Sequence, residues 1–220
     1  MAQNSSDSTM SDEAAPIPNL ALRAIIRPAL KQVRTVDKAS ADHLISAFEA
    51  AEDAIPGITQ EILEGILRSE GFTMNISEIL LRCSSVNSKD FQIEREELEF
   101  VKLGEKAQEL KTILGKIPLE IQDRSKFLQT IKDIASAIKF LLDSVNEVLK
   151  TYQAQGKMRE YRKTLEQNKR EFVKYSKSFS DTLKQYFKDG RQDSVFVSAN
   201  KLINQTNNIL IVFKMVGRAV

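Results

Sequence analysis

Between Phe127 and Lys150 apolar residues recur at Phe127, Ile131, Ile134, Ile138, Leu141, Val145 and Val148. That three-and-four spacing, kept for about six turns, predicts one long amphipathic helix. A stripe of this width needs other helices to cover it, while Lys132, Asp133, Ser136, Lys139 and Asp143 keep the opposite side polar. Downstream, Tyr161, Leu165, Phe172, Phe179, Leu183 and Tyr186 mark a second stripe that stops at Asp189-Gly190, where glycine suits a left-handed cap. Val195, Leu202, Ile203, Ile209, Leu210, Phe213 and Val216 mark a third. Upstream, Leu98 to Leu114 reads as a helix ending at Gly115, and Pro118 suits the first turn of the long helix or of a short segment leading into it. Residues 153–161, QAQGKMREY, read as a loop around Gly156. Four helices from about residue 98 onward make an up-down bundle the economical assembly.

The first part of the chain is patterned in shorter pieces. LALRAIIRPALKQVR, from Leu20, is amphipathic with Pro28 inside it, so a kink or restart is expected there. Asp37 or Ser40 should cap the next helix, with Leu44, Ala47, Phe48 and Ala51 on its buried side until Pro56-Gly57. Thr59 is the expected cap of a third, stapled by Ile58 and Leu63 and continued by Ile66 and Leu67 as far as Gly71. Asn75 with Glu78 opens a fourth that turns Ile79, Leu80 and Cys83 inward. Helices this short hold their shape by packing, and so little chain buries a thin core, which points to completion by a second copy or another protein's helices. The division expected is a disordered tail at 1–15, a helical dimerisation unit at 16–84, a charged linker at 85–97 and the bundle at 98–220.

Charge divides in the same region. Residues 1–96 carry 9 basic and 15 acidic side chains, residues 97–220 carry 23 and 15, although the whole chain is only +2. The second half is therefore the one suited to acidic peptides, anionic lipid or nucleic acid. On the long helix Lys132, Ala135 and Lys139 fall at i, i+3 and i+7, two cations about two turns apart around a small residue, and Lys177, Ser180 and Lys184 repeat the pattern. Catalytic and metal chemistry are not expected. His43 is the only histidine and Cys83 the only cysteine, which leaves no zinc set, no orienting group for a Cys-His couple and no internal disulfide. No cofactor motif follows a strand, no run of about 18 apolar residues occurs, and a cytoplasmic setting is expected.

Three blocks are long and idiosyncratic: GKIPLEIQDRSKFLQTIKDIASAIK (115–139), EFVKYSKSFSDTLKQYFKDG (171–190) and VFVSANKLINQTN (195–207). They closely resemble the programmed cell death protein ten family, that of the third cerebral cavernous malformation protein, and PGITQEILEGIL (56–67) resembles its N-terminal part. Residues 1–17 and a longer loop after Tyr152 depart from the family's pattern. The resemblance implies an all-α adaptor without catalysis or cofactor. It implies a short-helix dimerisation domain that pairs with itself or with the tail of germinal-centre class III Ste20-like kinases, Leu44, Ala47, Ile66 and Leu67 matching its interface. It also implies a four-helix bundle of the focal-adhesion-targeting kind, binding leucine-rich acidic motifs of paxillin, a helix of the second cavernous malformation protein, and striatin. Lys132, Ala135, Lys139, Lys177, Ser180 and Lys184 match that bundle's peptide groove. Peripheral association at Golgi and plasma membrane is implied too. The same basic face could instead meet phosphoinositide headgroups, whereas nucleic acid is disfavoured by the acidic first half and the lack of exposed aromatic interleaving.

Overall fold

A computed structural model describes residues 15–152 and 156–217, and the tail expected at 1–15 lies outside them but for Ala15. The fold is all-α. Its helices are α1 (Arg27–Val33), α2 (Lys38–Ala54), α3 (Ile58–Ser69), α4 (Ile76–Ser84), α5 (Leu98–Leu114), α6 (Ile117–Glu120), α7 (Arg124–Tyr152), α8 (Gly156–Asp189) and α9 (Gln192–Gly217).

Helices α5, α7, α8 and α9 form the bundle, α5 lying against α7 and α9, and α8 against the same two. The stripes anticipated from spacing on α7, α8 and α9 meet in one core with the inner face of α5. Phe100, Leu103 and Leu110 of α5, Phe127, Leu141 and Val148 of α7, Leu165, Phe172 and Phe179 of α8, and Val195, Leu202 and Phe213 of α9 are all buried together. Each such side chain contributes about 1.5 to 3 kcal/mol. Gly190, at φ +72°, ends α8 as expected, and the Tyr186 hydroxyl donates to Ile121 O at 3.1 Å, tying that end to the turn before α7. The loop expected at 153–161 is corrected. Its first three residues lie outside the described ones, but α8 already begins at Gly156. Met158 is 3% exposed and continues the stripe of Tyr161 and Leu165 by one turn, so tertiary burial outweighs the poor helix propensity of glycine.

Ahead of α1, Leu22–Ile26 forms a π-helical turn in which the Arg27 N–H reaches Leu22 O. The disturbance expected at Pro28 takes this form, since proline cannot donate the next bond. Asp37 caps α2 by accepting from Ser40 N at 3.0 Å, and Asn75 caps α4 by accepting from Glu78 N at 3.1 Å. The cap of α3 differs from expectation. Gly57, at φ +96°, occupies the position, and Thr59 lies inside the helix with its hydroxyl donating to Glu52 at 2.6 Å. Glu52 is 1% exposed. Its carboxylate also accepts from Asn19 N at 2.6 Å, Gly57 N at 2.7 Å and Thr59 N at 3.1 Å, so one side chain serves the orphan donors of α3 and pins the segment before the π turn. Cys83 is exposed rather than inward, because α4 turns Leu80, Leu81 and Ser84 to its neighbours.

The N-terminal elements dock on α9 through a ladder of asparagines one turn apart. Asn200 Nδ2 donates to Ser77 O at 2.7 Å, Asn204 Nδ2 donates to Pro18 O at 3.2 Å, and Asn208 Oδ1 accepts from Arg23 Nη1 at 3.2 Å. Leu81 of α4 and Phe91 of the connecting segment join the bundle's own core. That segment contains a 3-10 turn, Lys89–Phe91, held by Lys214 Nζ donating to Lys89 O at 3.0 Å and Asp90 O at 3.1 Å. Arg95 follows, stacked over the rings of Phe100 and Tyr152 at 4.5 and 5.5 Å.

Candidate functional site

The antiparallel register of α7 and α8 is fixed at both ends. Near the start of α7 the Phe127 ring lies 5.5 Å from that of Tyr186 and 6.0 Å from that of Phe187, and near its end Asn146 Oδ1 accepts from Lys169 Nζ at 2.6 Å. Counting inward from these contacts brings Lys132 level with Lys184, Ala135 with Ser180 and Lys139 with Lys177. All six are exposed. The two cation-small-cation rows, far apart in sequence, thus run opposite one another along one seam.

Between the rows the surface is apolar. Ile131, Ile138 and Leu142 of α7 are half-buried against the core, and Val173 of α8 is half-buried as well. Ser180 adds no free hydroxyl, because its Oγ donates to Ser176 O at 3.1 Å. Lys184 pairs with Asp181 at 2.8 Å, but both side chains are 73% exposed and such a pair contributes little. Lys132, Lys139 and Lys177 have no ion pair among the described residues. Beyond Lys132 the seam widens into a cavity of about 450 Å³ whose walls include Arg124, Phe127, Leu128, Tyr186 and Phe187. Leu128 and Phe187, 42% and 46% exposed, form its outer edges, and spacing had not singled out either one.

The other predicted residues lie apart from this seam, on α2 and α3. Leu44 and Ile66 are 46% and 53% exposed, Ala47 is exposed and Leu67 half-buried. The expectation that Leu44 and Ala47 line the buried side of α2 is corrected, because within this chain α2 buries Ala41 and Glu52 instead. Ile62 is also exposed and sits one turn before Ile66, so α3 presents a continuous apolar edge.

Two buried polar groups escaped the sequence pattern. Burial alone would push the Glu52 carboxyl up, but the hydrogen bonds from Asn19, Thr59 and Gly57 outweigh it and hold the group below its ordinary value. Lys111 is 2% exposed on α5, and burial lowers its ammonium to about 8. In the pattern Lys111 is one more polar residue between Leu110 and Leu114. The asparagines of α9 did leave a signal, since residues poor in helix propensity recurring every turn are unusual in a helix interior. Among the described residues, no three His, Cys, Asp or Glu side chains gather as metal ligands would, and no helix is long and apolar enough to cross a membrane.

Residues 14–73 match the family model described as Programmed cell death protein 10, dimerisation domain, and residues 74–166 match that described as Programmed cell death protein 10, C-terminal. The Programmed cell death protein 10 homolog of Caenorhabditis elegans is 31% identical to the chain over 210 residues, covering 91% of this chain and 95% of that protein.

Proposed function

The chain belongs to the programmed cell death protein 10 family, and from that premise we propose that it is a non-catalytic adaptor with two helix-binding surfaces. The α2–α3 face, carrying Leu44, Ala47, Ile66 and Leu67, pairs with a second copy or with the tail of a germinal-centre class III Ste20-like kinase. The α7–α8 seam takes an amphipathic helix with leucines inward and Asp or Glu at its margins, of the kind found in paxillin's leucine-rich motifs, the second cavernous malformation protein and striatin. The observation that carries the second part is the register. It sets Lys132 against Lys184 and Lys139 against Lys177, with Ala135 and Ser180 low enough between them for a helix to approach.

Magnitudes divide the labour. A buried leucine contributes about 1.5 to 3 kcal/mol, and an exposed ion pair about 0.2 to 1. Two or three leucines therefore supply most of the affinity, and the lysines select orientation and acidic sequence. Titrating an acidic leucine-rich helical peptide against Lys132→Glu/Lys139→Glu should raise the dissociation constant about 30- to 150-fold, a swing of about 2 to 3 kcal/mol. Ala135→Trp should block the same peptide without altering charge. Thermal melting checks that each variant is folded. Unchanged binding by Ala135→Trp sinks the groove, and unchanged binding by the charge reversal returns the lysines to a solvated face. Phosphoinositide vesicles are the other ligand that such rows of exposed lysines suit. On that reading, salt and charge reversal weaken binding while Ala135→Trp leaves it intact.

A further inference from the structure

The α7–α8 seam continues past Lys139 and Lys177. Two turns further on, and therefore on the same face of each helix, Asn146 and Leu149 follow Lys139 and Leu142 on α7, while Arg170 and Glu166 stand beyond Lys177 and Val173 on α8. There the helices part around a second cavity, of about 330 Å³, walled by these four residues with Lys150, Arg162 and Lys169. Leu149, half-buried against the core, gives it an apolar floor.

The charge of this cavity is one-sided. Its walls hold Lys150, Arg162, Lys169 and Arg170 against the single carboxylate of Glu166. That carboxylate is shared, lying 3.0 Å from Arg162 Nε and 3.9 Å from Arg170 Nη2, and Lys169 donates to the neutral Asn146. Lys150 has no ion pair among the described residues. The acidic residues of this stretch of α7 do not restore the balance, because Glu147 pairs with Lys102 of α5 at 2.8 Å and Asp143 adds to the same field. Lys150, Arg162 and Arg170 are exposed, so an anion lying in the seam can reach them.

The opposite end of the seam is walled mostly by apolar and aromatic residues, with Arg124. The seam is thus chemically asymmetric along its length, and a ligand that fills it must be asymmetric too. A concave strip with cations on both walls suits a rod better than a plane, and the planar fork of arginine can hold both oxygens of a carboxylate. We propose, resting on the reading of the seam as a helix-binding groove, that Lys150, Arg162 and Arg170 select a polypeptide whose helix runs past its leucines by two to three turns and carries a cluster of Asp or Glu there. From Lys139 the cavity begins at Asn146 and ends at Lys150, so the extension spans about 10 to 16 Å.

The test uses the full chain and a helical peptide with leucines on one side and Asp or Glu at its margins, lengthened at either end by about ten residues, the span just given. Each extension is made in two forms, with Glu or with Gln spaced among alanines. At one end the Glu form should bind about five- to tenfold more tightly than the Gln form, as a few exposed ion pairs allow, and the difference should shrink as salt is raised. Arg162→Gln/Arg170→Gln removes two exposed cations and keeps good helix formers. It should erase most of that difference while the unextended peptide binds as before, with thermal melting to check the fold. A difference that persists in this variant comes from the helicity of the peptide and overturns the proposal. Equal binding of the Glu and Gln forms at both ends also overturns it, and if the unextended peptide still binds, the groove itself stands. Phosphoinositide vesicles that bind the unaltered chain but not the variant, with Glu and Gln peptides alike, would reassign these cations to a headgroup. If no peptide binds at all, the groove reading fails and this inference falls with it.

Discussion

Glu52 and Lys111 are both buried and charged, yet their consequences run in opposite directions. Glu52 answers three backbone N–H groups and a hydroxyl, so Glu52→Ala leaves at least three donors orphaned and should cost at least about 3 kcal/mol. Because the folded carboxyl is held below its ordinary value, its stabilisation is fully present above the unfolded glutamate range and is lost as pH falls through the folded value. Melting curves of the two proteins should therefore converge in acid, and an equal gap at pH 7 and in acid would contradict this role. Lys111 has the reverse sign. Its folded value of about 8 lies below the unfolded one, so the unfolded chain binds the extra proton and stability rises as pH climbs from about 8 toward the ordinary lysine value. Lys111→Met should raise the denaturation midpoint at pH 7, by up to about 3 kcal/mol in free energy, and the gain should shrink by pH 10. A variant less stable at both pH values would mean that the amine is better satisfied than its contacts indicate.

At the scale of elements, long stripes were legible and short ones were not. For α7 and α9 the apolar period runs for six turns or more against a single core, so spacing alone identified the buried faces. In α3 and α4 a helix has few turns, and in α2, α3 and α4 alike a local polar device helps decide which side is buried. Glu52 rotates the inner face of α2 away from Leu44 and Ala47, moves the cap of α3 from Thr59 to Gly57, and appears in the pattern only as a polar position. The groove residues were legible as two spaced triplets, but their facing arrangement was not, because it depends on contacts of Phe127 and Asn146 with residues 23 to 60 positions away. On α3, Ile66→Asp/Leu67→Asp places carboxylates on an edge that the chain itself leaves largely open, so the first helices should stay folded while self-association, read as mass by light scattering, is lost. An undiminished dimer would remove this edge from the interface, and loss of the fold would assign it to the internal core.

For the whole molecule, the bundle's core does not begin at the bundle's first helix. Leu81 and Phe91 fill slots in it, and Asn200 reaches back to α4. A fragment starting at residue 74 should therefore unfold cooperatively at a clearly higher midpoint than one starting at residue 97. Loss of the two side chains alone is worth about 3 to 6 kcal/mol. Matching midpoints would show α4 to be a passenger. Docking of the segment before α1 depends in turn on the π turn at Leu22–Ile26, which holds one residue more than an α-turn would. That residue advances everything upstream by about 100° around the axis. Phase is what it sets: Ile17, Leu20 and Ala21 come round to the buried side, while α1, which buries nothing, keeps Arg27, Lys31 and Arg34 beside Glu49, Asp90 and Asp42. Deleting a single residue between Leu22 and Ile26 would take that 100° away, Pro28 notwithstanding, and should turn Leu20 toward water and swing Asn19 away from Glu52.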